Sequence, residues 1–395
     1  MNRGLRIVAV AFGAGLLQAG GASASTLSVV NMGKSDAVVY EAEPGEENRV
    51  KAESAAGLIT VRDPGAEVTA GAECDQVSDH KATCQRFPGP VNQALIAELG
   101  NKGDRADALT GILWQELDGG PGDDELEGGG GFDFLNGGTG ADLIDGAGFI
   151  DVVSYFERSE DLTLTLGDKA ANDGGNGDDG ASDRILRVEN AVGGSGDDFL
   201  SGTGGENTLS GAGGADVHEA KGGEDVIYAG EGADVLRGGR GQDNLQPQDG
   251  ADRSFGGAGK DVMSINADER PDLIDGGGQR EDEIQFGFGV AFRVELDGKP
   301  NDGLCDQSPC STSSEGDNMR RLGILEGQSG ADLLIGSGAS ETFQPGNGAD
   351  TVKAKGGDDE VALFTNDGAD DILCGGGVDT VDGEQVEDDL TDCEN

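Results

Sequence analysis

The chain of 395 residues carries 77 Asp and Glu against 27 Lys and Arg, a formal net charge of −50. It therefore lacks the basic patches that phosphate contacts require, which argues against a nucleic-acid partner. With 73 glycines and only 4 % aromatic residues, no large conventional core is expected outside the N-terminal region, and the acidic excess suits cations.

Residues 1–24 join Arg3 and Arg6 to an apolar run, Ile7–Leu17, and the small-residue site Ala22-Ser23-Ala24. This is the plan of a secretory signal cleaved after Ala24, with an apolar run too short to span a bilayer, and it implies an extracellular protein. Residues 25–110 read as a small N-terminal all-β domain, from alternating runs such as Leu27–Val30, Ala37–Tyr40 and Leu58–Val61 between Gly, Pro and Glu turns. Within it, Gly103–Leu109 resembles a decayed copy of the repeat that follows.

Residues 111–151 form a first array of the unit Gly-Gly-x-Gly-x-Asp-x-U-x, with U apolar: GGPGDDELE, GGGGFDFLN and GGTGADLID. These place Asp124, Asp133 and Asp142 nine apart, and Asp151 continues the step. Residues 152–192 break the period with strand-like runs Val152–Phe156, Leu162–Leu166 and Ile185–Val188 around Asn172-Asp173-Gly174.

Residues 193–282 hold the longest array, eight units without a slip from Gly193 to Ser264. Their sixth positions are Asp198, Asn207, Asp216, Asp225, Asp234, Asp243, Asp252 and Asp261. The fourth position is always glycine, from Gly196 to Gly259, as expected where the backbone must reach φ > 0 and no side chain is tolerated. A disordered acidic linker would need no apolar residue at every ninth place, yet the U column reads Leu200, Leu209, His218, Ile227, Leu236, Leu245, Ser254 and Met263. The alternate units Leu209, Ile227, Leu245 and Met263 would line one wall, and the wall with His218 and Ser254 should be the looser.

Residues 283–326 repeat the plan of the first interruption: Ile284–Phe286, Phe292–Leu296, Asn301-Asp302-Gly303 and Leu322–Leu325. An internal duplication of array plus β insert is inferred. The last array, in residues 327–395, runs through Asp332, Glu341, Asp350 and Asp359, then takes an eleven-residue step to Asp370 before Asp379. The piece from Cys374 to Cys393 would cap the end, where open strand edges are otherwise exposed.

With these units in place, the chain resembles the hemolysin-type (RTX) calcium-binding nonapeptide repeat proteins of secreted bacterial origin. The resemblance implies an all-β parallel β-roll in which each unit is a six-residue turn and a three-residue strand, two units make a coil, and repeats n and n+2 stack. It implies Ca²⁺ between stacked turns, ligated through Asp124, Asp133, Asp142, Asp151, Asp198, Asp216, Asp225, Asp234, Asp243, Asp252, Asp261, Asp332, Asp350, Asp359, Asp370 and Asp379. One edge would stack Asp198, Asp216, Asp234 and Asp252, and the other Asn207, Asp225, Asp243 and Asp261, with uncharged Asn207 the weakest site and Glu341 misplacing its oxygens. Elementary electrostatics agrees: carboxylates one strand spacing apart repel by roughly 1–3 kcal/mol, and a hard divalent cation reverses that sign. A row of main-chain carbonyls suits calcium better than magnesium, which demands a tighter octahedron.

Six cysteines fall into the local pairs Cys74/Cys84, Cys305/Cys310 and Cys374/Cys393. An even count in an exported chain favours disulfides over a zinc site, for which the clustered spacing is missing, although sequence does not fix the pairing.

Catalytic signatures are weak. With only His80 and His218, an H-E-x-x-H protease helix is excluded, and Gly194-Ser195-Gly196 is a turn within a repeat rather than a nucleophile elbow. The acid pairs Asp123-Asp124, Asp197-Asp198 and Asp358-Asp359 recur at repeat positions five and six, so turn geometry explains them better than a glycosidase dyad. His218 sits at an apolar U position, and Trp114 precedes the first array as an end cap. The sequence thus reads as a secreted non-catalytic protein that binds many Ca²⁺ ions and has no membrane span. Cell-surface or polysaccharide material is a candidate partner, and the accessory part of an RTX toxin or extracellular hydrolase is the alternative.

Overall fold

The computed structural model describes residues 25–31, 36–55, 58–71, 73–85, 94–110, 114–167, 173–175, 182–265, 270–277, 282–286, 292–297, 299, 302–304, 317–327, 329–363, 368–383 and 389–393. The proposed signal at 1–24 and the Cys305/Cys310 pair lie outside the described residues. Every regular element described is a strand, and the strands wind into a parallel β-solenoid of about 13 turns.

The nine-residue period explains the winding. Glycines at the start of each unit turn the chain, and the short apolar run that follows pairs with the strand eighteen residues away. Ile227 lies opposite Leu209 on one side and Leu245 on the other, while Leu236 lies between His218 and Ser254 on the facing wall. Side chains alternate across a strand, so one residue per unit points inward. All eight U residues of the long array, His218 and Ser254 included, are fully buried.

One wall is continuous. From Ala94–Glu98 it passes through Trp114–Asp118, Phe132–Asn136 and Val152–Ser154 to Asn190–Val192, runs through the long array to Glu283–Phe286, and ends at Thr380–Asp382. The facing wall is broken twice, once at each insert. In the first, Arg184–Leu186 closes the preceding stretch against Leu143–Gly148, while Leu162–Thr165 opens the next against Phe199–Ser201. In the second, Asn318–Arg320 closes on Leu273–Gly277 and Phe292–Glu295 opens on Leu333–Ile335. Each opening strand turns back in a short antiparallel pair, with Gly174–Gly175 and with Gly303–Leu304.

The correspondence extends to single residues. Arg187 (φ 51°) and Arg321 (φ 55°) both adopt left-handed backbone and ion-pair with Asp145 and Asp275 respectively. The inferred duplication is therefore visible in topology as well as in sequence.

The N-terminal strands continue the same walls: Asp36–Glu41 runs parallel to Ala94–Glu98, and Arg49–Ala55 parallel to Arg105–Thr110. Leu58–Arg62, Lys81–Gln85 and Cys74–Ser78 then add antiparallel strands, with Cys74 bonded to Cys84 in the outermost hairpin. At the far end Asp389–Thr391 pairs with Asp371–Leu373, and a Cys374–Cys393 disulfide ties it down.

Candidate metal centre

Turns stack along the two edges of the solenoid, and all sixteen aspartates expected to be ligands sit in them, each no more than 3 % exposed. They are joined by one repeated contact, in which the backbone N–H of a ladder residue donates to Oδ1 of the ladder residue one coil on. On the first edge this links Asp104, Asp124, Asp142 and Asp183, then Asp198, Asp216, Asp234, Asp252, Asp272 and Asp317, then Asp332, Asp350 and Asp370, at 2.6–2.8 Å in the first two runs and 2.8–2.9 Å in the third. On the second it links Asp133 to Asp151, then Asn207, Asp225, Asp243, Asp261 and Asp282, then Glu341, Asp359 and Asp379, at 2.7–3.1 Å.

The ladder contains residues that the nine-residue count misses. Asp104, Asp183, Glu189, Asp272, Asp282 and Asp317 occupy rungs, Glu189 by accepting from Asp151 N at 3.0 Å. Lengthened turns or the inserts separate them from their neighbours. A signal existed: Asp272-Leu-Ile-Asp-Gly repeats Asp142-Leu-Ile-Asp-Gly, so the duplication alone places Asp272 on a rung.

The second carboxylate oxygen is what points to a ligand. Oδ2 of Asp124, Asp142, Asp151, Asp216, Asp225, Asp234, Asp243, Asp261, Asp332, Asp359 and Asp379 is buried without a hydrogen-bond partner. A buried anionic oxygen left unpaired is costly, and such atoms are rare in folded proteins. Each of several faces a main-chain oxygen of the next coil across the unit's first glycine. A Cβ built on Gly119 would lie 2.5 Å from both Asp124 Oδ2 and Gly137 O, and one on Gly256 would lie 2.5 Å from Asp261 Oδ2 and 2.7 Å from Gly276 O. Among the described residues no three His, Cys, Asp or Glu side chains converge on one point, so a cation here must draw on main-chain carbonyls as well. Hard carboxylate and carbonyl oxygens in a row are the donor set of Ca²⁺.

Burial shifts these acids. Desolvation, reinforced by neighbouring carboxylates, pushes Asp142 and Asp216 up to about 8, and Asp124, Asp151 and Asp243 to about 7. Burial likewise raises Asp133, Asp225, Asp234 and Asp332 to about 6.

Glycine matters where coils touch. At Gly232 (φ 150°) a Cβ would lie 1.6 Å from Gly214 O, as expected for the fourth position. The rule fails at Gly205, where it would meet nothing nearer than Thr203 Oγ1 at 3.8 Å.

The fold and site define a parallel β-roll with carboxylate ladders along both edges. The family model for the RTX calcium-binding nonapeptide repeat matches four copies, at residues 118–153, 189–217, 219–245 and 324–352, so these stretches carry RTX calcium-binding repeats. No curated protein matches it. No helix of the described residues is long and apolar enough to cross a membrane.

Proposed function

We propose that this is a secreted, non-catalytic protein whose RTX arrays fold around several Ca²⁺ ions held between stacked turns. The ligands would be the expected aspartates other than Asp198, whose Oδ2 already accepts from Gly194 N at 2.7 Å, together with first-position carbonyls. The observation that carries the reading is the row of buried, unpartnered Oδ2 atoms facing carbonyls of the next coil. When bound, calcium would supply the positive charge that these oxygens lack. The chain's own part is to aim one oxygen of each carboxylate at the adjacent N–H and leave the other for the ion. An extracellular role in adhesion or matrix attachment is consistent with the acidic surface and the signal-like first 24 residues.

Calcium titration followed by circular dichroism tests the reading. The chain should lose most of its β signal in chelator and regain it with millimolar Ca²⁺ but not equal Mg²⁺. A β signal indifferent to chelation would refute calcium-coupled folding.

A further inference from the structure

Three turns differ from the rest. In the regular turns the second residue takes positive φ and, apart from Gly250, so does the fourth, as in Lys221 (77°) with Gly223 (133°), Gly230 (117°) with Gly232 (150°), and Lys355 (76°) with Gly357 (125°). In the turns that carry Asp198, Asn207 and Glu341 the same positions are Gly194 and Gly196, Thr203 and Gly205, and Ser337 and Ala339, and none has positive φ. The second residue's N–H instead folds back onto the ladder side chain. Gly194 N donates to Asp198 Oδ2 at 2.7 Å, Thr203 N to Asn207 Oδ1 at 2.6 Å, and Ser337 N to Glu341 Oε2 at 3.3 Å. The other side-chain atom is also engaged: Asp198 Oδ1 accepts from Leu162 N at 2.9 Å, Asn207 Nδ2 donates to Glu189 O at 2.6 Å, and Glu341 Oε1 accepts from Ser337 Oγ.

All three are the first turns of an array on their edge, stacked on a turn that belongs to an insert. Ser195 N donates to Arg158 O at 2.9 Å, Asn207 lies on Glu189, and Thr342 N donates to Gly323 O at 2.7 Å. A protein cation also reaches turn carbonyls at the first boundary, Lys221 Nζ donating to Gly202 O at 2.7 Å and Arg158 to Gly138 O.

We propose that these three turns bind no calcium and that the protein's own donors close them, so that the inserts divide the ladders into separate calcium clusters. The inference rests on the calcium reading above. A site between coils needs two turns that each offer a free oxygen, and an insert turn beneath removes one of them. In these three cases the first turn above it then satisfies its own carboxylate or amide, whereas Asp332, which also stacks on an insert strand, keeps Oδ2 unpartnered and so stays among the calcium turns. Asp198, although it matches the repeat, is by this inference a structural residue.

The test is calcium stoichiometry by isothermal titration on the full chain, for Asp198→Asn, Glu341→Gln and Asn207→Asp beside Asp234→Asn and Asp359→Asn, each first shown by circular dichroism to reach the wild-type fold in saturating calcium. The first two should bind as many ions as wild type, Asn207→Asp should gain none, and the last two should each lose at least one. An ion lost from Asp198→Asn or Glu341→Gln, or gained by Asn207→Asp, overturns the proposal. If Asp234→Asn and Asp359→Asn lose none, the calcium reading of the ladders fails instead. Should one variant not fold, the other two still decide.

Discussion

A single buried histidine shows what a side chain of the wrong kind does inside the roll. His218 lies between Leu200 and Leu236 with both ring nitrogens unpartnered, and desolvation lowers its pKa to about 4. A buried polar group without a partner costs about 1–3 kcal/mol, so His218→Leu should stabilise the calcium-bound protein by that order in thermal or denaturant unfolding. Because the folded state keeps His218 neutral, its contribution is lost as pH falls from 6.5 towards 4, and the leucine variant should lack that acid-side loss.

The ladder carboxylates have the opposite sign. Their values of about 6 to 8 in the metal-free fold lie above the ordinary 3.8, so the folded chain holds protons that the unfolded chain has released. Without calcium, stability is fullest below pH 3.8 and falls as pH rises through 6 to 8. Circular dichroism in chelator should therefore show more β structure at about pH 5 than at about pH 8. Calcium must displace those protons, so its midpoint should move to lower concentration over the same rise. Glycines give a further contrast: Gly232→Ala should destabilise by about 1–3 kcal/mol or more, whereas Gly205→Ala, free of any close backbone oxygen, should be near neutral.

At the scale of the strand and turn, much was legible because one period serves three purposes. The same nine residues set the glycine turn, the inward apolar side chain and the ladder acid, and the resemblance to RTX repeats then implied the two-edge stacking of Asp198 with Asp216 and of Asn207 with Asp225. Where turn lengths change, counting fails while the hydrogen bonds continue, as between Asp252 and Asp272 or Asp142 and Asp183. The closed turns were not legible either: Asp198 sits in a unit, GGSGDDFLS, that matches the repeat throughout. What changes its conformation is the insert turn stacked beneath it, a neighbour distant in sequence. Register carries the next prediction. One residue inserted after Leu236 would turn the rest of strand Val235–Arg240 over, moving Gly238 off the inward side and breaking the nine-residue step to Asp243, while every ladder acid remains. The calcium titration should flatten and its midpoint rise, and an unchanged steep transition would mean that the turns bind independently.

For the whole molecule the two walls have different histories. The inserts interrupt one wall and leave the other unbroken from Ala94–Glu98 to Thr380–Asp382, so a single inward column can relay order past both inserts even where the ladders are divided. Calcium binding should accordingly be cooperative within each cluster and coupled between clusters through that wall. Chelator titrations should show fewer steps than there are sites.

The antiparallel cap at one end and the disulfide-tied strand at the other also make the molecule a spring with fixed clips. Pulled from its two ends, a stack that touches only its neighbours yields one coil at a time, each releasing roughly 60 Å of extended chain. Cys374–Cys393 shields the final coil from being the first to peel. In calcium the force trace should be a series of even teeth interrupted by two longer releases at the inserts, and in chelator the chain should stretch like a loose polymer, so the ion concentration of the surroundings would set the stiffness of the chain.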